Sequence, residues 1–215
     1  MSTAPSDLPK DKAKCIPPIP VPTHGAGGVF AVACTTEIAG PALTCLAKVL
    51  DLPGYGTWNT FVPRASVTAP PSQPDAALAP EVQALASRPG YASRGARIRF
   101  DAVMSPGGGS RAVELDVSFL EAFDAAGEGA AKGYRVVWKA AGLPHFLLHS
   151  ERVQEFVEIA AAEEEEDGGV RTRYATWETF GGWLAYVLPR AQIESGFARW
   201  MDGLKKAVED EGEAR

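Results

Sequence analysis

Three side chains that could take up and return protons fall in two neighbouring stretches of strand-like sequence: His149, Tyr174 and Glu178. A carboxylate or an imidazole can remove an acidic proton from carbon, and a hydrogen-bond donor can hold the oxygen that becomes negatively charged. A carboxylate in an apolar cavity would also have its pKa raised toward the working range. These three residues are therefore the candidates for acid–base catalysis, with a surface or structural role as the alternative for each.

Several arginines could bind the acidic end of a ligand. Arg97, Arg99 and Arg111 carry guanidinium groups that could hold a carboxylate through paired hydrogen bonds. Nucleophilic catalysis is not indicated, because the chain has no Gly-x-Ser-x-Gly turn and no cysteine in a recognisably reactive setting. The stretch SPGGGS at 105–110 lacks the lysine and the helix start of a phosphate-binding loop, and it predicts a hairpin turn.

The sequence offers no convincing metal site. His145 and His149 are spaced to share one face of a helix, but Pro144 and the residues around it favour the start of a strand. No cysteine or glutamate stands beside them at metal-binding spacing. The acidic run at 163–167 leads into two glycines, which favours a solvated hairpin tip over an ion-binding loop. We therefore predict no metal and no other cofactor.

Composition indicates a globular protein with a substantial core. Of the 215 residues, 46% are hydrophobic and 22% are charged, and the net charge is -6. Nucleic acid is an improbable partner, because no basic stripe is available to displace counterions. No segment approaches the roughly 20 apolar residues that span a bilayer, and the N-terminus lacks the apolar region of a secretory signal. Three cysteines give no disulfide framework, so we expect reduced thiols and a cytoplasmic location.

The chain divides into an arm, one domain and a short tail. Residues 1–26 are rich in proline and predict a flexible arm with polyproline character. Residues 27–210 predict a single domain, and residues 211–215 a tail. The domain includes a long proline- and alanine-rich connection at 69–96 with one short helix, which could be a lid, a partner site or disordered.

Periodicity places the elements that must position the candidate residues. A β-rich run at 29–36 precedes a helix that begins at Pro41 and stops at Pro53. From residue 97 on, five strand candidates alternate with turn signals. Apolar residues between 193 and 208 recur at helical spacing and predict a long amphipathic C-terminal helix. The order predicts an α+β fold in which a curved antiparallel sheet of six to seven strands surrounds that helix, with one or two short helices after the first strand.

Three stretches together resemble the SRPBCC superfamily, the START-like or helix-grip proteins, and most closely its polyketide cyclase/dehydrase branch. They are DLPGYGTWNTFVPRASV at 51–67, GYRVVWKAAGLPHFLLHSERVQEFVEI at 133–159 and GGVRTRYATWETFGGWLAYVLPR at 168–190. With the order of the elements, the resemblance covers residues 28 to 208. The arm and the long 69–96 connection depart from the pattern, so the mouth of a cavity could be covered differently here.

The resemblance implies a cavity between the C-terminal helix and the sheet that takes a lipid-, quinone- or polyketide-like molecule. The alternative is a cofactor-independent polyketide cyclase or dehydratase that uses the acid–base residues named above. A third possible function is that of a protein-interaction module, and the protein could also form a homodimer. We expect no integral membrane association. The residues expected to line the site are Trp58, Phe61, Tyr134, Trp138, Phe180, Trp183, Arg97 and Arg111. For Trp58, packing is as good an interpretation as ligand contact.

Overall fold

One antiparallel sheet organises the protein. The computed structural model describes residues 2–73, 77–125, 131–159 and 169–213. Within them the sheet has eight strands: β1 (Lys14–Ile16), β2 (Phe30–Ala39), β3 (Arg64–Ala69), β4 (Arg97–Val103), β5 (Ser110–Ala125), β6 (Ala131–Ala140), β7 (His149–Ile159) and β8 (Arg171–Gly181). In space they follow the order β1-β2-β8-β7-β6-β5-β4-β3. Strand β2 thus lies between β1 at the edge and the last strand, β8, and strands β8 to β3 complete the sheet as a meander.

A long helix packs against one face of this sheet, which we call the inner face. The helices of the described chain are α1 (Ala42–Leu50), α2 (Pro80–Ala86) and α3 (Arg190–Glu213), with short 3₁₀ segments at Pro53–Thr57 and Trp183–Val187. One stripe of α3 is buried in the main core, with the spacing that the sequence predicts: Ile193, Phe197, Trp200, Met201, Leu204 and Val208. None of the described helices is long and apolar enough to cross a membrane.

The predicted α+β class and helix-grip arrangement are confirmed, because one antiparallel sheet packs its inner face against the long C-terminal helix. The described sheet has more strands than predicted, because the N-terminal segment supplies β1, which pairs with β2. Short helical elements follow β2, as expected. Helix α3 continues to Glu213, beyond the predicted domain end at 210.

The proline-rich arm lies on the outer face of the sheet, the face turned away from α3. Its Leu8 and Val21 are buried in one apolar cluster with Val153 and Trp177 of the sheet. The sequence predicts flexibility for residues 1–26, whereas the described part of this segment is packed on the sheet. The difference has a physical cause: the outer face is itself apolar, and covering it removes that surface from water.

Two buried glutamates of β7 fasten the arm to the outer face. Glu155 accepts hydrogen bonds from the Ser2 hydroxyl at 2.5 Å and from the Thr3 backbone amide at 3.0 Å. Glu151 accepts from both the backbone amide and the hydroxyl of Thr23 at 2.7 Å. Hydrogen bonds to ionised carboxylates are stronger than neutral ones, so the two ends of the arm are held at two defined points.

The long 69–96 connection contains α2, and Val82 and Leu85 of this helix are buried in the main core. The helix therefore anchors the connection against the domain. Residues 74–76 and the acidic run at 163–167 lie outside the described residues.

Two glycines let α3 approach the segment that joins α1 to β3. A Cβ atom on Gly196 would collide with the ring of Phe61, and one on Gly203 would collide with the backbone oxygen of Trp58. The Trp58 ring meets that of Trp200 edge-on, with centroids 5.4 Å apart. The aromatic turn after α1 is therefore a surface against which the long helix packs closely, and we call this contact the seat of α3.

Candidate ligand-binding cavity

A cavity of about 580 Å³ lies between α3 and the inner face of the sheet. Strands β4 to β8, the start of α3 and the loop at 141–148 contribute to its wall. Most of that wall is apolar: Phe61, Phe100, Ala102, Met104, Leu115, Trp138, Leu148, Phe180, Leu188, Ile193 and Phe197. A space of this kind favours ligands with a large apolar surface.

Strand alternation brings a small polar group to the cavity floor. In β7, Ser150 and Arg152 point toward the cavity, as Phe156 points toward the inner core. Glu178 in β8 is the cross-strand partner of Arg152 and lines the same cavity. Directly opposite residues of two strands face the same side of a sheet, so these side chains share one region.

Arg152 is a buried cation with an unused donor. Its side chain is 3% exposed, and its guanidinium carbon lies 4.1 Å from the ring centroid of Phe197 and 4.3 Å from that of Trp200. The Nε atom donates to the hydroxyl of Thr176 at 3.1 Å. The Nη2 atom has no hydrogen-bond partner in the part of the chain that the structure describes. The aromatic rings hold the guanidinium in place, and the Nη2 atom is itself enclosed by protein atoms.

Glu178 is a carboxyl group placed where charge is costly. Burial raises the pKa of Glu178, while the nearby Ser150 hydroxyl and Arg152 guanidinium act in the opposite direction. The net direction is upward, since burial is the larger effect. A carboxyl group with these properties can exchange a proton nearer neutral pH than an exposed glutamate can.

The lining residues that are exposed to solvent include Arg111 of β5, Leu143 of the 141–148 loop and Pro189 before α3, and we call this part of the wall the mouth of the cavity. Glu114 of β5 is also a lining residue. A second space of about 680 Å³ continues from there toward the 105–109 turn and shares Arg111 with the first. Large apolar side chains near this mouth are exposed to solvent: Phe146, Trp183, Tyr186 and Val187.

Five residues predicted from the sequence lie in the wall of the cavity: Phe61, Trp138, Phe180, Arg111 and Glu178. The ring of Trp138 meets Phe100 edge-on at 5.3 Å, and Phe180 stacks on Phe30 at 5.0 Å. These contacts fix two aromatic walls of the cavity, while Arg111 lies at its mouth.

Four other predicted lining residues lie elsewhere. Trp58 is buried beneath α3, and the hydroxyl of Tyr134 lies 3.4 Å from a glutamate of α2. Trp183 is 77% exposed, and Arg97 pairs with Asp116 on the surface at 2.9 Å. A residue on the inner face of a strand does not always contact the cavity, because its position along the strand also determines whether it reaches the cavity.

The three acid–base candidates are not brought together. Tyr174 is fully buried on the inner side, where its hydroxyl donates to Gln154 at 2.7 Å and burial raises its pKa. His149 lies on the other face, with its Nδ1 atom 2.7 Å from the backbone oxygen of His145. Glu178 is the member of this trio that lines the cavity.

The sequence interpretation missed Arg152 and Ser150 as cavity residues. A signal was present, since both share the alternation of Phe156 in β7. That signal was weak, because each face of this strand carries both charged and apolar residues. The mixed pattern arises from burial on both faces, by α3 on one side and by the arm on the other.

No cluster of three or more histidine, cysteine, aspartate or glutamate side chains in the described residues is arranged to hold a metal ion. Burial raises the pKa of the Cys34 and Cys45 thiols to about 12. Both thiols stay protonated at neutral pH, which makes them poor nucleophiles and poor ligands.

Comparisons with known proteins give a sequence relative and similar solved structures. No protein family model matches the chain. Over 173 residues, 78% of each protein, it is 30% identical to the oxopyrrolidines biosynthesis cluster protein O of Penicillium oxalicum. A hypothetical protein from Helicobacter pylori has a TM-score of 0.48 and 14% identity, with 82% of this chain and 87% of that one covered. A START superfamily protein from Mycobacterium smegmatis has a TM-score of 0.46 and 17% identity, with 86% and 97% covered.

Proposed function

The chain belongs to the family of the oxopyrrolidines biosynthesis cluster protein O, and from this premise we propose that it binds a small apolar molecule with an oxygen-bearing polar end. The proposed site is the cavity beneath α3, with the polar end of the ligand at Arg152. The name of the relative links that protein to the biosynthesis of a small molecule, which suggests a similar setting for this one. A polyketide-like, lipid-like or quinone-like ligand would fit this description.

The size and lining of the cavity support a small-molecule ligand. Its volume of about 580 Å³ falls in the range of about 300–1,000 Å³ that is common for small-molecule sites. Each square ångström of apolar surface that a ligand buries there contributes about 25 cal/mol. The aromatic and aliphatic walls therefore supply affinity without demanding a particular hydrogen-bond pattern.

The observation that carries the proposal is the position of Arg152, a positively charged residue in the wall of a largely apolar cavity. Hydrogen bonds to charged groups contribute about 1.5–3 kcal/mol, so a ligand oxygen that reaches this guanidinium would be favoured over an apolar end. A carboxylate or an enolate would gain most, because it also meets the positive charge. Arg152 should therefore set which end of the ligand enters the cavity first.

Competitive binding tests this function. We expect the fluorescent probe anilinonaphthalene sulfonate to bind the wild-type protein and decanoate to displace it better than decanol does. Arg152→Gln should weaken displacement by decanoate by about tenfold and leave decanol unchanged. Arg97→Gln, which pairs with Asp116 on the surface outside the cavity, is the matched control and should keep the preference. Absence of probe binding to folded wild-type protein, or equal losses for both competitors, would contradict the proposal.

A second candidate function is acid–base catalysis on a carbonyl compound in the same cavity, favoured by the raised pKa of Glu178 next to Arg152. In this step the Glu178 carboxylate takes a proton from the carbon beside a carbonyl group. The C–H electron pair forms a carbon–carbon double bond and the π pair of the carbonyl group moves to the oxygen, so an enolate forms whose oxygen Arg152 holds. The protonated Glu178 then returns the proton to carbon, so a reversible exchange is the minimal reaction.

Hydrogen–deuterium exchange into a β-diketone tests this catalytic candidate. In D₂O, the wild-type protein should accelerate loss of the α-proton NMR signal of benzoylacetone, and Glu178→Gln should abolish the acceleration. Glu114→Gln, in the wall of the cavity, should keep it. Probe binding without any acceleration of exchange would leave the binding function standing and eliminate the catalytic one.

A further inference from the structure

All three histidines of the chain meet at one place, although they are far apart in sequence. The ring centroids of His145 and His149 are 3.6 Å apart, and the two rings are nearly parallel. The ring of His24, in the arm, lies 5.0 Å from that of His145 and 4.8 Å from that of His149. We call this group the histidine cluster.

The histidine cluster connects three parts of the fold. His24 belongs to the arm, His149 begins β7, and His145 lies in the 141–148 loop. Leu143 and Leu148 of that loop line the ligand cavity. Contacts among the imidazoles therefore join the arm on the outer face to the mouth of a cavity on the inner face.

The charged groups around His24 do not neutralise the cluster. Burial lowers the pKa of His24, and the two other histidines and Lys139 of β6 act in the same direction. Glu151 of β7 is the opposing group, but its carboxylate already accepts hydrogen bonds from the backbone amides of Thr23 and His24. The His24 Nε2 atom is buried without a hydrogen-bond partner in the described residues.

We propose that the histidine cluster is an acid-sensitive latch that holds the 20–26 segment of the arm against the 141–148 loop. The rings of His145 and His149 stack face to face, with the ring of His24 beside both. Histidine is the side chain that ordinarily changes charge between about pH 5 and 8. Positive charges on neighbouring rings repel one another, so mild acid separates the arm from the loop and loosens the cavity mouth.

Hydrogen–deuterium exchange of the full chain tests the latch. Labelling at about pH 7.5 and about pH 5.5, with times corrected for the intrinsic rate, isolates changes in structure from changes in chemistry. We expect protection in peptides covering 20–26 and 141–148 to fall by about tenfold in acid. A peptide covering 193–208 of α3 should stay protected, which shows that the change is local.

Substitutions assign the effect to the imidazoles. His24→Gln removes the charge that the arm can acquire and should abolish most of the pH response in both peptides. Lys10→Gln, also in the arm but paired with Glu37 on the surface, is the control and should keep the response. If His24→Gln does not fold, the exposed His145→Gln provides the same comparison. An equal protection at both pH values, or a full response in the histidine variants, would overturn the latch.

Discussion

Arg152 and Glu178 are direct cross-strand partners, and both line the cavity floor, yet burial still raises the pKa of Glu178. The guanidinium packs on Phe197 and Trp200, and its charge offsets the burial of the carboxylate only in part. The folded state disfavours the charged form of this carboxyl group, so ionisation of Glu178 lowers the stability of the fold. A group that costs stability in this way is a candidate for a functional role.

Glu178→Gln should stabilise the protein at neutral pH. A carboxyl group whose pKa is raised on folding supports the folded state at low pH, and that support is lost as the pH rises through the folded pKa. The neutral amide avoids this loss, so we expect a gain of roughly 1 kcal/mol at neutral pH and no gain in acid. Thermal unfolding at both pH values, with Glu114→Gln as the control, measures the effect. A destabilised Glu178→Gln protein at neutral pH would contradict the assignment.

Arg152 should contribute to stability through the contacts of its side chain with rings. Arg152→Ala removes the packing on Phe197 and Trp200, and we expect a loss of about 2–3 kcal/mol. Arg152→Met keeps an apolar chain between the rings and should lose about 1 kcal/mol or less. Urea unfolding of the two variants separates packing from charge. Equal losses would show that the charge, rather than the packing, stabilises the fold.

Gly203→Ala should destabilise the seat of α3. A Cβ at this position would collide with the backbone oxygen of Trp58, which cannot rotate away, and overpacking of this kind costs about 1–3 kcal/mol. Gly212→Ala is the matched control in the same helix, since nothing lies within 4 Å of its added Cβ. There we expect a neutral effect or a gain of up to about 1 kcal/mol. Thermal unfolding that ranks the variants the other way would refute this account of the helix contact.

Glu155→Gln should release one end of the arm. Burial alone would raise the pKa of Glu155, but hydrogen bonds from Ser2 and Thr3 and the charge of Arg135 outweigh it, so the pKa is lowered. Stability from this group is therefore present above its ordinary value of 4.5 and is lost as the pH falls through the folded pKa. We expect a loss of about 3 kcal/mol near neutral pH and a smaller one in acid.

The exposed Glu37, which pairs with Lys10 in the same arm, provides the comparison for Glu155. Glu37→Gln should change the free energy of unfolding by about 1 kcal/mol or less, because exposed ion pairs contribute little. Chemical denaturation at several pH values distinguishes the two. A pH dependence in Glu155→Gln identical to that of the wild type would remove Glu155 from the acid response.

Local pattern was sufficient for the class of fold and for five residues of the cavity wall. The helical spacing of residues 193–208 and the alternation of β6 identify α3 and the inward position of Trp138. Docking of the arm could not be predicted, because it depends on Glu151, Glu155 and Trp177, which are distant in sequence. The cytoplasmic location and a homodimer stay predictions.

The sequence did not show which residues of β7 point toward the cavity and which point toward the outer face. A shift of one residue exchanges His149 for Ser150 at the cavity, and only a strand with one exposed face reveals its own register. Residues 150–157 are all buried, so the usual contrast between polar and apolar positions is absent. The same holds for β8, where Trp177 alternates with Arg171 and Arg173 on one face of the strand and is buried with Leu8 and Val21 of the arm.

Adjacent residues of β7 point to opposite faces of the sheet, so the strand contains two sets of positions that can change independently during evolution. Glu151 and Glu155 belong to the layer that holds the arm, whereas Ser150 and Arg152 belong to the layer that meets the ligand. A descendant gene could therefore acquire a new ligand preference through the second set without losing the anchoring of its N-terminus. Protein engineers could use the same separation and randomise the ligand-facing positions alone.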